Sequence, residues 1–298
     1  MNSSIDDYHD LMSLFTNPPK RVVSLVPSLT ESMFDLGFGE FVVGITDYCI
    51  HPANQLSECM RIGGPKTPRI QDILSLQPDL ILANKEENTP ESVHALQEAG
   101  IKVWLTFPTT VRQAVDCLWV MAGVFQSKMA ALRLEILEHS LDWAIAAGSN
   151  HQQKTRYFCP IWQSETNNGI PWWMTFNRYT YMNDLLDILG GENIFSDRNR
   201  YDPAEAGIND YIEENEQHSD TRYPRVLSEE IIISNPDLIL LPDEPYSFGK
   251  DHQEMFYEIF NHCTAAKQNK IILVYGSLLM WWGTRLARAL EVLPALLN

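Results

Sequence analysis

The sequence predicts an α/β protein with two Rossmann-like lobes, each built on a parallel central sheet, joined by one long backbone helix. Three observations support this fold class: short β-branched runs alternate with helical patterns, the motif PDLIL occurs twice, and a long helical segment separates the two copies. Strands that alternate with helices are typical of parallel sheets covered by helices. A chain of 298 residues is long enough for two such lobes.

The first lobe is predicted to contain four strands and three helices. Its first helix begins at Ser28-Leu-Thr-Glu31, which has the spacing of a capping box, and ends near Gly37. The other two helices end at Pro78 and Gly100, which do not continue a helix. The strands are predicted at residues 21–26, 41–45, 79–83 and 101–106, and the second and third helices at residues 71–76 and 90–99.

An internal duplication is the main argument for a second, similar lobe. Residues 71–82 (QDILSLQPDLIL) resemble residues 229–240 (EEIIISNPDLIL), and each segment places a short helix, a proline and the same strand in the same order. A weaker match relates residues 32–39 to residues 184–191. Two copies of one α/β unit predict two lobes of similar construction.

A spine helix is predicted between the two copies. Residues 110–147 contain no proline and a single glycine, and residues 126–147 place Leu134, Leu137 and Leu141 on one helical stripe. Such a helix measures about 30 Å at 1.5 Å per residue. Because a helix is stiffer than a glycine-serine linker, we expect only small movements of one lobe against the other.

The second lobe is predicted to have strands at residues 156–161, 238–241 and 271–275 and a final helix at residues 285–297. Residues 200–225 hold seven acidic residues and few large aliphatic ones, which indicates an exposed loop insertion. The predicted domains are an N-terminal extension (1–20), an N-terminal lobe (21–122), the spine helix (123–150) and a C-terminal lobe (151–298).

Composition excludes several classes of partner. Acidic residues outnumber basic ones by 39 to 22, a formal net charge of −17, so nucleic acid would be repelled. No segment approaches the roughly 20 apolar residues of a membrane span, and the first 20 residues lack the apolar core of a secretory signal. Five scattered cysteines and no lipobox predict a cytoplasmic protein, or an extracytoplasmic one if a leader was lost. We also expect a monomer.

Position alone predicts where a ligand binds, since ligands of open parallel sheets lie beyond the carboxyl ends of the strands. Five of the eight tryptophans fall in predicted loops near strand ends: Trp162, Trp172, Trp173, Trp281 and Trp282. Aromatic walls suit a broad macrocycle or metal chelate. We therefore expect ligand contacts from Tyr48, Glu86, Glu87, Trp172, Trp173, Tyr246, Trp281 and Trp282.

No catalytic site and no closed metal site is predicted. The motifs of phosphate-binding loops, dinucleotide-binding turns, serine hydrolases and zinc proteases are absent from the sequence. Cys49 and His51 have no second pair of ligands near them in sequence, and Glu86 with Glu87 resembles a solvated acidic pair. The sequence therefore predicts a binding protein without an intrinsic cofactor or catalytic residues.

These features resemble the BtuF-like substrate-binding proteins of the helical-backbone metal receptor superfamily, in a leaderless branch. The resemblance implies the class III periplasmic-binding-protein fold and a corrinoid such as cobalamin, or another metal chelate, held in the cleft between two lobes. Alternatives are a ferric-siderophore or haem-binding component of an ABC importer, and a chelatase-like enzyme that processes such ligands. The segments that carry the resemblance are RVVSLVPSLTESMFDLG, VVGITDYCIHP, IQDILSLQPDLILA, LLDILGGENIF and YPRVLSEEIIISNPDLILL.

The resemblance also implies roles for individual residues. Tyr48 and Tyr223 match aromatic residues that contact the corrin in the vitamin B12 binders, whereas Asn84 stands where those proteins carry a tryptophan. Glu229 matches one of two glutamates that dock the lobes onto transporter arginines. The first-lobe counterpart is a glutamine with Asp72 beside it, so Glu229 and Asp72 are the implied docking residues for an ABC transporter permease.

Overall fold

The computed structural model describes residues 15–150, 153–200 and 220–297, and it divides them into two compact units. Unit 1 comprises the described residues up to Ser140 together with Trp281–Ala287, and unit 2 comprises Leu141–Met280 together with the residues from Arg288 onward. The long helix between the duplicated segments contributes residues to both units. The fold class predicted from the sequence is confirmed.

Unit 1 is built on a five-stranded sheet in the order β3-β2-β1-β4-β5, in which all neighbouring strands are parallel. The inner strand β4 is buried at every position, as expected for a strand covered by helices on both faces. The strands are β1 (Val22–Ser24), β2 (Val42–Ile45), β3 (Met60–Arg61), β4 (Leu80–Asn84) and β5 (Val103–Thr106), with helices α1 (Pro27–Asp35), α2 (Ile70–Ser75), α3 (Pro90–Glu98), α4 (Val111–Val124) and α5 (Lys128–Ser149) and a 3₁₀ turn at Gly39–Phe41.

Unit 2 contains two sheets. The parallel sheet has the order β12-β11-β6-β9, and a smaller antiparallel sheet has the order β10-β8-β7. The strands are β6 (Thr155–Phe158), β7 (Trp162–Glu165), β8 (Pro171–Met174), β9 (Gly191–Asn193), β10 (Arg225–Leu227), β11 (Leu238–Pro242) and β12 (Ile271–Val274), with helices α6 (Tyr181–Ile188), α7 (Ser228–Ser234), α8 (Lys250–Ile259), α9 (Thr264–Lys267), α10 (Gly276–Met280), α11 (Leu286–Val292) and α12 (Pro294–Leu297).

The duplicated segments occupy equivalent positions in the two parallel sheets. Strand β4 lies between β1 and β5, and strand β11 lies between β6 and β12. Each preceding helix is followed by a residue in the left-handed region, Gln77 with φ 48° and Asn235 with φ 46°. The two PDLIL strands therefore belong to separate sheets, as the duplication predicts.

The antiparallel sheet was not predicted, and it changes the setting of the tryptophans. Trp172 and Trp173 were predicted in a loop, but both lie in β8, which pairs with β7 and β10. A hairpin joins β7 to β8 through Asn168-Gly169, where Gly169 has φ 74°. An Asn-Gly pair between apolar runs is a hairpin signal, and it was present in the sequence.

Three helix boundaries also differ from the prediction. The predicted capping box at Ser28 is wrong, because α1 begins one residue earlier, its N-cap is Val26 and no side chain caps it. The predicted final helix is two helices, α11 and α12, because Pro294 cannot donate a helical hydrogen bond and starts a new turn. Helix α5 begins two residues later than predicted, after Gln126, which has φ 51°. Most of the predicted acidic insertion, residues 201–219, lies outside the described residues.

Candidate ligand-binding residues at the sheet edges

The carboxyl ends of the parallel strands in unit 1 share one edge, and Tyr48 stands at that edge after β2. Its side chain is 65% exposed, and a ring carbon lies 3.5 Å from the point where Gly64 would carry a Cβ. The turn below the ring is fixed by Arg61, whose guanidinium donates to the carbonyl oxygens of Thr46 and Cys49 at 2.8 Å each. Tyr48 thus presents an exposed aromatic ring on a turn that hydrogen bonds hold in place, and such a ring can pack against a flat ligand.

Cys49 and His51, next to Tyr48, do not converge on a common point. The Cys49 thiol is fully buried, 3.1 Å from the Thr30 hydroxyl and 3.2 Å from the Thr46 hydroxyl, and burial raises its pKa. The His51 ring instead contacts the edge of Trp281, with 5.8 Å between ring centroids. Throughout the described part of the chain, no three His, Cys, Asp or Glu side chains are placed to hold a metal ion.

Asn88 holds together three loops at the carboxyl edge of unit 1. Its buried side-chain amide donates to the carbonyl oxygens of Leu25 at 3.2 Å and Pro65 at 3.1 Å. Its side-chain oxygen accepts from the backbone amide of Asn84 at 2.8 Å. The loops after β1, β3 and β4 are therefore tied to one side chain, which positions the acidic pair that follows β4.

Glu86 and Glu87, the predicted polar contacts, differ in exposure. Glu86 is exposed and Glu87 is half-buried. The backbone amide of Glu86 donates to the side-chain oxygen of Asn84 at 2.8 Å, and its carbonyl oxygen accepts from Lys66. Asn84 is 2% exposed, so its side chain serves the loop rather than the surface.

Trp281 and Trp282 lie in the segment of the late chain that groups with unit 1. Trp282 is 4% exposed and belongs to the core, so its predicted ligand contact has no exposed ring face. Trp281 is half-buried and lies 5.0 Å from the guanidinium of Arg285. Arg285 in turn makes a two-point ion pair with Glu31 of α1, at 2.7 and 2.5 Å.

In unit 2, Trp162 and Tyr246 come together at the carboxyl ends of the neighbouring strands β6 and β11. Their rings meet edge to face, with centroids 5.5 Å apart, and Trp162 is 45% exposed. The Tyr246 hydroxyl accepts from Gln163 at 2.9 Å and lies 3.3 Å from His252 Nε2. This cluster combines exposed aromatic area with fixed polar groups.

The two adjacent tryptophans of β8 point to opposite faces of the antiparallel sheet. Trp173 is fully buried and packs against Phe256 and Phe260, with centroids 5.4 and 5.6 Å away. Trp173 is a core residue, so it has no exposed surface for the ligand contact that was predicted for it. Trp172 is half-buried on the other face, where the Arg225 guanidinium lies 4.8 Å from its ring.

Three further residues to which the resemblance assigns a role lie on or near the repeated helices of the two units. Tyr223 is half-buried just before β10, with the Arg222 guanidinium 5.3 Å from its ring. Glu229 is exposed at the start of α7 and accepts from the Ser228 hydroxyl at 3.1 Å. Asp72, on the equivalent helix α2, is paired with Arg69 at 2.5 Å.

Sequence reasoning did not select three members of the unit 2 cluster. Trp162 lies near a predicted strand end but is not among the expected ligand contacts, and Gln163 and His252 are not among them either. Alternation of side chains along a strand places Trp162 and Gln163 on opposite faces, so it does not indicate that both contact Tyr246. No signal joined His252 to Tyr246, because their contact depends on the turn that precedes α8.

No helix within the described ranges is both long and apolar enough to cross a membrane. Residues 22–276 match the sequence model of the family described as "Periplasmic binding protein". The chain is 25% identical over 288 residues to the vitamin B12-binding protein of Photorhabdus laumondii, covering 94% of this chain and 88% of that protein.

Two solved structures have a similar fold. The vitamin B12-binding protein BtuF of Vibrio cholerae has a TM-score of 0.72 at 20% identity, over 94% of this chain and 96% of that one. The haem-binding protein RhuT of Roseiflexus sp. RS-1, in its apo form, has a TM-score of 0.70 at 21% identity, over 93% of this chain and 97% of that one. At these identities the likeness shows a common fold.

Proposed function

The chain belongs to the periplasmic binding protein family, and from this premise we propose that it binds a corrinoid or a comparable metal chelate without chemically changing it. The observation that carries the proposal is the pair of aromatic groups at the carboxyl edges of the parallel sheets, Tyr48 in unit 1 and Trp162 with Tyr246 in unit 2. Carboxyl edges are where α/β sheets bind ligands, and partly exposed rings offer the area that a flat macrocycle covers.

Charge favours a corrinoid over a ligand that carries carboxylates. The formal net charge of −17 makes binding of an anion unfavourable, whereas amide side groups are neutral. A relative over most of the chain is named as a vitamin B12-binding protein, and one similar structure is named as haem-binding. We therefore place corrinoids first and haem or ferric siderophores second.

A binding titration tests the proposal. Purified protein would be titrated with cyanocobalamin, dicyanocobinamide, haem and a ferric siderophore, followed by tryptophan fluorescence and calorimetry. We expect a corrinoid to bind with a dissociation constant in the micromolar range or below and more tightly than haem. If every probe binds more weakly than about 100 µM, roughly 5.5 kcal/mol, the proposed function is wrong.

We further propose that the protein delivers its ligand to an ABC importer, with docking mainly through Glu229. Glu229 is exposed on α7, whereas Asp72 on the equivalent helix is engaged by Arg69. Glu229→Arg is expected to lower corrinoid uptake by cells while leaving the affinity of the purified protein unchanged. Asp251→Arg, which alters an exposed acidic residue on α8, is the matched control. Equal uptake by the Glu229 variant and the wild type would contradict the docking role.

The two similar structures are named as periplasmic proteins, and this supports the extracytoplasmic alternative over the cytoplasmic one. We propose that the native gene product acts outside the cytoplasm as a monomer. Fractionation of cells that express the native gene, with light scattering of the purified protein, tests both statements. Recovery of the protein with the cytoplasmic markers would contradict the first, and a dimer mass would contradict the second.

A further inference from the structure

A chain of hydrogen bonds runs from the core of unit 2 to the Tyr246 hydroxyl. The indole Nε1 of Trp173 donates to the side-chain oxygen of Gln163 at 3.3 Å. An indole nitrogen only donates, so the oxygen of the Gln163 amide faces Trp173 and its nitrogen faces away. That nitrogen lies 2.9 Å from the Tyr246 hydroxyl oxygen and donates to it.

A second donor reaches the same oxygen from His252. The backbone amide of Gly249 donates to His252 Nδ1 at 3.1 Å, and a backbone amide cannot accept. Nδ1 therefore carries no hydrogen, and the neutral imidazole carries its hydrogen on Nε2. Nε2 lies 3.3 Å from the Tyr246 oxygen, so His252 donates to Tyr246 as well.

Two donors facing one phenol oxygen decide the direction of its own hydrogen. The Tyr246 hydroxyl hydrogen has no acceptor in Gln163 or His252 and must point away from both. The surrounding groups fix this arrangement, since Trp173 is fully buried and the Tyr246 ring contacts Trp162 and Phe248, with centroids 5.5 and 4.8 Å away. Tyr246 is thus a preorganised hydrogen-bond donor beside an exposed aromatic ring.

We propose that Tyr246 donates a hydrogen bond to a neutral carbonyl oxygen at the rim of the ligand and thereby favours amide-bearing over carboxylate-bearing chelates. This inference rests on the proposed function. Carbonyl and carboxylate oxygens both accept hydrogen bonds, but Asp243 and Glu244 precede Tyr246 in the same loop, and the whole chain is strongly acidic. Their charge opposes a ligand carboxylate and leaves an amide carbonyl as the preferred acceptor.

The donor arrangement is tested without a ligand. In protein labelled with ¹⁵N-histidine, the ring-nitrogen shifts of His252 report its tautomer, and His252→Gln assigns the signal. We expect hydrogen on Nε2 and none on Nδ1 at neutral pH. The opposite tautomer would let Tyr246 donate to His252, and it would overturn the inference.

The contact with a ligand is tested with Tyr246→Phe and Gln163→Glu, using cyanocobalamin, dicyanocobinamide and haem as probes. Tyr246→Phe removes only the hydroxyl, whereas Gln163→Glu replaces the facing donor by an acceptor and turns the hydroxyl inward. We expect each variant to bind the corrinoids about three- to tenfold more weakly, the usual effect of one neutral hydrogen bond. Haem affinity should change less, and Tyr179→Phe, which removes an exposed hydroxyl, should bind like the wild type.

The outcomes of this experiment distinguish a failure of the donor role of Tyr246 from a failure of the proposed function. If the wild type binds a corrinoid and both variants bind it equally well, the proposed function holds and the donor role of Tyr246 is wrong. A larger loss for haem than for the corrinoids would show that Tyr246 selects a carboxylate, which contradicts the stated preference. If the wild type binds no probe, the proposed function fails and the inference fails with it, whatever the tautomer of His252.

Discussion

Asp79 and Asp237 make two of the same hydrogen bonds in the two units, and Asp79 also accepts from the backbone amide of Lys20 at 2.8 Å. The carboxylate of each accepts from the backbone amide of the arginine at the start of the neighbouring strand, Arg21 or Arg156, at 3.1 Å. The backbone amides of the two aspartates donate in return to the carbonyl oxygens of those arginines, at 2.9 and 2.8 Å. The aspartate of the repeated PDLIL motif therefore fixes the start of the strand that follows it against the neighbouring strand.

Replacing these aspartates should weaken each unit by a similar amount. We expect Asp79→Ala and Asp237→Ala to lower the free energy of unfolding by about 1 kcal/mol each, because the amide of Arg21 or Arg156 loses a charged acceptor at a partly exposed site. The exposed amide of Lys20, which also loses its acceptor in Asp79→Ala, can bind water instead. Asp→Asn at the same positions retains an acceptor oxygen and is the matched control. Urea unfolding monitored by circular dichroism measures the effect, and an unchanged Asp79→Ala variant would contradict it.

The duplication and the parallel sheets were predictable because they depend on local patterns. The helix, proline and PDLIL strand of each copy follow one another within twelve residues, so period and turn residues identify them. The antiparallel sheet was not predicted because β10 lies about 50 residues after β8, beyond an acidic segment without a strand pattern. Pairing over such a distance depends on tertiary structure.

The sequence predicts only those residues of the candidate site that directly follow a predicted strand. Tyr48 and Tyr246 follow predicted strands, and the structure places both at carboxyl edges. The exposure of each tryptophan could not be derived from the sequence. Trp172 and Trp173 are the same residue type at adjacent positions, but their side chains face opposite sides of one strand. The contact of Trp162 with Tyr246 joins residues 84 positions apart through the adjacency of β6 and β11, which only the sheet order reveals.

The ion pair between Glu31 and Arg285 should contribute strongly to the stability of unit 1. Both side chains are 14% exposed, and the pair joins α1 to a segment about 250 residues later. We expect Glu31→Gln to lower the free energy of unfolding by about 3 kcal/mol, because the Arg285 charge remains largely buried without its partner. Glu291→Gln removes an exposed pair with Arg288, whose side chains are 66% and 61% exposed, and should change stability by less than about 1 kcal/mol. Equal losses in chemical denaturation would contradict this assignment.

Trp162 and Trp173 should separate ligand binding from packing. Trp162→Ala removes a 45% exposed ring, so we expect corrinoid affinity to fall by about 1 kcal/mol or more with little change in stability. Trp173→Ala leaves a cavity in the core and should lower the free energy of unfolding by about 3–5 kcal/mol. Calorimetric titration and thermal unfolding of both variants distinguish the two roles. A Trp162 variant that binds as tightly as the wild type would remove this residue from the proposed contacts.

Buried thiols should make the protein sensitive to alkaline pH. Burial raises the pKa of the Cys49 and Cys159 thiols above the ordinary value of 9.0. In the unfolded chain these thiols lose their protons above about pH 9, whereas the folded protein retains them. The free energy of unfolding therefore keeps its full value below pH 9 and decreases as the pH rises above it. Urea unfolding between pH 7 and pH 10.5 should show this decrease, and Cys49→Ala with Cys159→Ala should show a smaller one. At pH 8 we expect no rapid reaction of either native thiol with a disulfide reagent.

Tyr157 carries a hydroxyl whose removal should stabilise the protein. Its side chain is 1% exposed on β6, and among the residues that the structure describes its hydroxyl has no hydrogen-bond partner. Burial also raises the pKa of this phenol well above its usual range. Burying an unpaired hydroxyl costs about 1–3 kcal/mol, and phenylalanine fills almost the same volume without that cost. We therefore expect Tyr157→Phe to raise the free energy of unfolding by about 1 kcal/mol. Tyr181→Phe, at a tyrosine whose hydroxyl is also buried, should raise it by less. A loss of stability in Tyr157→Phe would contradict this prediction, because it would show that the Tyr157 hydroxyl makes a hydrogen bond in solution.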